Sequence, residues 1–219
     1  MVRTWIGVAV LLAAAVVQAQ PVGIVTIVDG GLTVQRGGER FAATEGQRLQ
    51  ADDLVATGDG TRVARIELDD GKTLDLGPAT QLLLKPRALA ADEERAATAL
   101  LVRGWLKLSA PWNLTTPAAL VSPRLEAQRV RGVVIAQAEP AETWLFVESG
   151  IASAQPRDGR RAAPYALAEG GSFTQRADGG LQSQAAPADR LARMPRAFFD
   201  TLPRRAARFG AAPVAALQR

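Results

Sequence analysis

Residues 46–84 read GQRLQADDLVATGDGTRVARIELDDGKTLDLGPATQLLL, and this stretch decides the fold. From Val63 to Asp69, apolar and charged residues alternate with the period of a β-strand that has two unlike faces. The dipeptide Asp70-Gly71 predicts a tight hairpin, because glycine tolerates a positive φ and aspartate can bond to its own backbone. The alternation resumes over residues 74–76. The stretch therefore predicts a β meander.

Short apolar runs separated by glycine and proline continue along the rest of the chain. Their spacing is irregular, which argues against a solenoid of fixed period. The pattern predicts an all-β fold, a single antiparallel β-sandwich or rolled-sheet domain with a short C-terminal helical segment. Aromatic residues make up only 5% of the chain, so we expect a core of Val, Leu, Ile and Ala. The expected large anchors of that core are Trp105, Trp112, Trp144 and Phe146.

The chain divides into three expected segments. Arg3, the apolar run over residues 5–17 and the small residue Ala19 are typical of a cleavable signal peptide, residues 1–19. An uncleaved membrane anchor is the less favoured reading, because the apolar run is short for a membrane span. Residues 20–186 are predicted to form the β domain and residues 187–219 a basic amphipathic tail. The signal peptide predicts a periplasmic or secreted protein.

The ordered set of motifs resembles the periplasmic domain of FecR-type proteins. The motifs are the segment over residues 46–84 and the later SPRLEAQRVRGV over residues 122–133, and the resemblance extends over residues 22–173. Where the family commonly reads VRGT, this chain has Val133 in place of threonine. The resemblance implies a periplasmic β domain to which an outer-membrane transporter signals its state. Members that signal to a sigma factor carry a cytoplasmic segment and a membrane span ahead of this domain. Here the similarity begins just after the signal peptide, so we do not expect direct transmission to a sigma factor.

Positive charge is concentrated in the tail. The formal net charge is +4, yet residues 20–186 carry 18 basic and 20 acidic residues, whereas residues 187–219 carry seven arginines and two aspartates. A nucleic-acid-binding domain needs cations clustered on its folded surface, so this distribution does not favour nucleic acid as a partner.

Residues able to perform catalysis are scarce. The chain has no histidine and no cysteine, which excludes histidine-dependent triads, thiol nucleophiles, disulfides and zinc sites built from those residues. No nucleophile elbow, S-x-x-K motif or phosphate-binding loop occurs. We therefore predict a non-enzymatic protein with no cofactor, and assign no catalytic, cofactor-binding or metal-ligating residue.

Carboxylates offer the remaining candidate for a chemical site. Calcium prefers oxygen ligands, and a glycosidase uses two carboxylates at a defined separation. The commoner interpretation of aspartates at turns and strand ends is structural, and we favour it. Buried acids paired in a cleft would instead favour the alternative function, an envelope carbohydrate-active enzyme. The acids concerned are Asp52, Asp53, Asp59, Asp69, Asp70 and Asp75.

The tail has an apolar face and many arginines. Asp189 is predicted to cap a helix, which Pro195 splits into two short helices. Its apolar residues Phe198 and Leu202 fall on one face, which favours a clasp packed on the sheet. The alternative is a cationic surface for anionic lipid, cell-wall polymer or an acidic partner. The residues of that candidate interaction surface are Arg193, Arg196, Arg204, Arg205 and Arg208.

The predicted function is therefore that of an exported, non-enzymatic FecR-like β domain, a binding or sensory module of the cell envelope. Its expected partner is an envelope protein or a cell-wall component, with membrane contact only through the basic tail. The sequence does not define an oligomeric state.

Overall fold

The computed structural model describes residues 20–89, 96–159 and 163–210. The predicted signal peptide and residues 90–95 of the loop after Pro86 lie outside the described residues. The strands are β1 (Pro21–Asp29), β2 (Leu32–Arg36), β3 (Glu39–Ala42), β4 (Arg48–Gln50), β5 (Leu54–Thr57), β6 (Val63–Leu68), β7 (Thr73–Leu76), β8 (Gln81–Leu84), β9 (Ala99–Ala110), β10 (Ala118–Val121), β11 (Leu125–Ala138), β12 (Glu142–Pro156), β13 (Tyr165–Ala168), β14 (Gly171–Arg176) and β15 (Leu181–Ala185). The helical elements are α1 (Ala188–Ala192) and the 3₁₀ turns Arg87–Leu89, Arg196–Phe199 and Ala206–Phe209.

The predicted hairpin at Asp70-Gly71 is confirmed. Strands β6 and β7 pair antiparallel around it, and Gly71 has a φ of 87°. The prediction that the other consecutive strands of this stretch also pair as a meander is wrong, because β5 pairs with β2 and β8 rather than with β6. The connections over residues 58–62 and 77–80 carry the chain between two layers, so strands that are consecutive in sequence are separated in space.

The two layers share three long strands. In β9, residues 99–103 pair with β8, whereas residues 104–110 pair with β11. In β11 and β12, the glycines Gly132 and Gly150 face each other at the corresponding bend, with φ values of 104° and 87°. The first layer has the order β15-β14-β12-β11-β9-β7-β6-β1-β4, and the second runs β3-β2-β5-β8-β9-β10-β11-β12-β13.

The predicted all-β sandwich or rolled-sheet class is confirmed, with a short helical segment at the C-terminal side. One pair departs from the antiparallel pattern, since β10 runs parallel to the start of β9. Aliphatic residues from both layers form one core between them, including Val55 and Leu82 from the second layer and Ile66 from the first. The prediction that Trp112 anchors the core is wrong, because Trp112 lies in the loop between β9 and β10 and is 59% exposed.

Strand β6 is buried on both faces, although its sequence alternates. Ala64, Ile66 and Leu68 face the core. Val63, Arg65 and Glu67 face outward, where residues from the C-terminal side cover them. We call residues 187–210 the C-terminal segment. Within the described ranges, no helix has the length and apolar character needed to cross a membrane.

Candidate functional site

The C-terminal segment packs over the outer face of the first layer. Phe198 is 1% exposed and belongs to a cluster with Trp105, Trp144 and Met194. The two tryptophan rings meet edge to face, with their centroids 6.2 Å apart. Buried aromatic surface of this size stabilises a domain strongly. The segment is therefore packed on the sheet as the clasp interpretation predicts.

Polar contacts from the sheet hold the main chain of the C-terminal segment. Lys107 Nζ donates to the carbonyl oxygen of Phe198 at 2.6 Å, and Arg65 Nη1 donates to that of Leu202 at 2.5 Å. The carboxylate of Glu67 accepts a bond from the amide of Arg205 at 2.6 Å. Three charged side chains of the sheet thus bond to main-chain groups of the segment.

The guanidinium of Arg65 is itself neutralised beneath the segment. It donates to both carboxylate oxygens of Asp75 on the neighbouring strand, at 2.5 and 2.7 Å, and both side chains are buried. A buried charge pair is tolerated only when its geometry is good and its remaining donors are satisfied. The carbonyl of Leu202 satisfies one of those donors.

The five arginines of the candidate interaction surface do not form one patch of free cations. Arg204 Nη2 donates to the carbonyl oxygen of Gly71 at 2.6 Å, and Arg205 lies 3.9 Å from the carboxylate of Glu45. Arg193 pairs with Asp189 at 3.5 Å. Arg196 and Arg208 are exposed and make no ion pair to another described residue. The assignment of these five residues to an interaction surface stays a prediction.

The helix start predicted in this segment is wrong in detail. Pro187 occupies the cap position of α1 without a side-chain bond, and Asp189 lies in the first turn, where its carboxylate reaches Arg193 instead. Proline has no amide hydrogen to lose at a helix start, so it is tolerated there. The break at Pro195 is confirmed, because α1 ends at Ala192 and the next turn begins at Arg196.

The six aspartates singled out from the sequence are dispersed, and five of them form ion pairs with arginine or lysine side chains. Asp53 and Asp75 are buried, which the turn interpretation did not predict, and each accepts two bonds from one arginine. Asp59 is exposed in a turn. No group of three or more acidic side chains that could hold a metal ion occurs in the described parts of the chain. The ion pairs are Asp52–Arg87, Asp53–Arg36, Asp69–Arg48, Asp70–Lys72, Asp70–Lys85 and Asp75–Arg65.

A concave surface that the sequence did not predict lies where β10, β11 and β12 meet. This corner cleft has a volume of about 730 Å³ and is lined by residues that include Thr115, Pro117, Gln128, Arg129, Arg131 and Ile151. The pattern Arg129-Val130-Arg131 was the available sequence signal, because alternate residues of a strand point to one face. The loop that Arg131 holds could not be inferred from the pattern.

A smaller cavity of about 310 Å³ lies on the other side of Pro117. Lys72 and Lys85 line it and share the carboxylate of Asp70, with each Nζ 3.0 Å from the same oxygen. Burial raises the pKa of the Asp70 carboxyl, but the positive charges of Lys85 and Lys72 outweigh it and leave that pKa below its ordinary value. The cavity therefore carries an excess of positive charge among these three groups.

Solved structures with a similar fold include two crystal structures of a proposed anti-sigma factor from Parabacteroides distasonis. They are 12% and 13% identical in sequence to this chain, and each has a TM-score of 0.50. Each match covers 64% of this chain and 62% of the other, so this chain spans less than two thirds of that protein. No protein-family model and no curated protein sequence matches the chain. The likeness shows a shared β architecture.

Proposed function

We propose that the chain is an exported, non-enzymatic FecR-like β domain that acts as a binding or sensory module in the cell envelope. The observation that carries the proposal is the architecture shared with the structures of the proposed anti-sigma factor, over 64% of this chain. The FecR-like order of motifs in residues 22–173 supports the same class of protein. The N-terminal signal pattern supports a periplasmic location.

The placement of the charged groups agrees with a binding role. The buried acids Asp53 and Asp75 are each held by an arginine, an arrangement that stabilises a fold rather than performing acid–base chemistry. Large apolar side chains are nevertheless exposed, including Trp112 at 59% and Ile151 at 45%. Exposed tryptophan is typical of the residues that anchor protein interfaces. The partner we propose is another envelope protein.

The experiment is capture of that partner with the full-length protein carrying a C-terminal affinity tag, expressed in its own host. Photo-crosslinking followed by mass spectrometry should enrich one envelope protein, and the purified pair should re-form a complex. An unrelated exported β protein with the same tag is the control. Failure to enrich any envelope protein, or a cytoplasmic location after fractionation, would overturn the proposal. Release of reducing sugar from cell-wall material by the purified protein would instead establish the carbohydrate-active alternative.

A further inference from the structure

The corner cleft carries positive charge with no acid to neutralise it. Arg129 and Arg131 both line it, and no Asp or Glu is among the described residues that do so. Arg131 uses its Nη1 to hold the loop that closes the cleft, donating to the carbonyl oxygens of Trp112 and Leu114 at 3.2 and 2.9 Å. Arg129 is exposed, and its guanidinium bonds to no other described residue. Its five donors are available to a ligand.

The backbone at Arg129 is strained. Its φ of 52° lies in the left-handed region, which is unfavourable for a side chain of this size. Nearby on the same corner, two other positions with positive φ are occupied by Gly132 and Gly150, and glycine tolerates that conformation. The chain therefore has arginine at a position where glycine would be lower in energy. Backbone strain of this kind clusters at functional sites, which motivates a functional role for Arg129.

Apolar side chains are exposed in the cleft and on the loop that Arg131 holds. Ile151 lines the cleft and is 45% exposed, and the loop tied to Arg131 presents Trp112 at 59% exposure. Tryptophan and arginine together are the residues most enriched at the centres of protein interfaces. No aromatic ring is among the described residues that line the cleft itself, so it lacks a stacking platform for a sugar. Its concave shape is unlike the convex or flat surface that a membrane requires.

We propose that the corner cleft binds an extended acidic segment of the partner protein, with carboxylates on Arg129 and Arg131 and an apolar residue against Ile151. Arginine suits this ligand because its planar guanidinium pairs with a carboxylate through two parallel bonds. Lys72 and Lys85 line the neighbouring cavity beyond Pro117, where Asp70 neutralises one of their two charges. This inference rests on the proposed function, because it supplies the contact site for the proposed partner.

The test measures binding of a fluorescein-labelled peptide of alternating glutamate and serine to the purified full-length protein by fluorescence anisotropy. A glutamine–serine peptide is the uncharged comparison. We expect the acidic peptide to bind in a salt-sensitive way, and Arg129→Gly and Arg129→Glu to weaken that binding at least about tenfold. Because Arg129→Gly relieves strain, it should keep or raise the thermal midpoint while binding is lost. A purely structural role for Arg129 would not give that combination.

The matched control is Arg40→Glu, which makes the same change of charge at an exposed position on β3. It should alter peptide affinity by less than about twofold. Equal losses in the two charge reversals, no binding by the wild-type protein, or loss only on reversing Arg196 and Arg208 would overturn the inference. Binding to anionic phospholipid vesicles in place of the peptide would assign the cleft to lipid and overturn it as well.

The captured envelope partner separates this inference from the proposed function. If the partner binds wild type and Arg129→Glu equally well, the cleft assignment is wrong and the proposed function stands. If the wild-type protein captures no partner, the proposed function is wrong, and the peptide measurement still decides whether the cleft binds carboxylates.

Discussion

The C-terminal segment and the corner cleft are both rich in arginine, yet their arginines differ in what they contact. In the C-terminal segment, Arg204 and Arg205 reach back to the domain, and the apolar residue Phe198 is buried beneath. In the corner cleft, the guanidinium of Arg129 bonds to no other described residue, and the backbone at this position is strained. Some of the arginines that make the C-terminal segment basic therefore make structural contacts with the domain. Arg196 and Arg208 of the C-terminal segment are exposed without an ion pair to another described residue, but Arg129 differs from them because it lines a cleft.

Replacement of Phe198 should show the largest effect. Phe198→Ala should lower the free energy of unfolding by about 3–5 kcal/mol, because it leaves a cavity against Trp105 and Trp144. The neighbouring Phe199 is 62% exposed, so Phe199→Ala should change stability by no more than about 0.5 kcal/mol. Denaturant unfolding of the two variants measures the difference. Equal effects would show that the segment is a loose appendage and would remove the contrast with the cleft.

Replacement of Gly132 should disrupt the corner. A Cβ there would overlap the carbonyl oxygen of Ser149, and φ is positive, so Gly132→Ala should cost about 2 kcal/mol or more. Gly31 has open space around its Cβ position, and Gly31→Ala should be nearly neutral by comparison. Thermal unfolding of both variants provides the measurement. A neutral Gly132→Ala would mean that the corner adapts easily and is not a rigid frame for the cleft.

The acid dependence of stability should show the smallest effect. The folded-state pKa of Asp70 is lowered by Lys85 and Lys72 against the opposing effect of burial, so its ionised form stabilises the fold. That contribution is present above the unfolded-state pKa of about 4 and is lost as pH falls through the lower folded-state value. Asp70→Asn should remove this component, which we expect to be below about 1 kcal/mol. The free energies of unfolding of wild type and variant should differ at neutral pH and converge as the pH falls. A difference that does not change with pH would contradict the assignment.

The sequence predicted the parts of the fold that depend on local chemistry. The hairpin at Asp70-Gly71, the break at Pro195 and the aliphatic core follow from turn residues, missing donors and side-chain volume. The pairing of β5 with β8 could not be predicted, because it depends on which layer each connection enters. The alternation in β6 predicted two unlike faces, but it gave no sign that the C-terminal segment covers the polar one.

The candidate sites were predictable to a smaller extent. The burial of Phe198 agrees with the amphipathic pattern of the tail, whereas the burial of Asp53 and Asp75 depends on arginines from other strands. The corner cleft was missed because its lining comes from three separate segments of the chain. The left-handed backbone at Arg129 has no signature in residue type, since arginine is not a residue that favours it.

The bond from Arg65 to the carbonyl of Leu202 joins residues 137 positions apart, and this separation has a consequence for folding kinetics. Among the described residues the last strand ends at Ala185, but Arg65 on β6 and Asp75 on β7 stay in water until the C-terminal segment docks. Because chains are synthesised from the N-terminus and distant contacts form slowly, we expect this segment to dock last. Until then we expect Trp105 and Trp144 to remain uncovered, so the sheet without its C-terminal segment is the species most prone to aggregate. The docking of the C-terminal segment therefore determines how long the protein spends in its most aggregation-prone state.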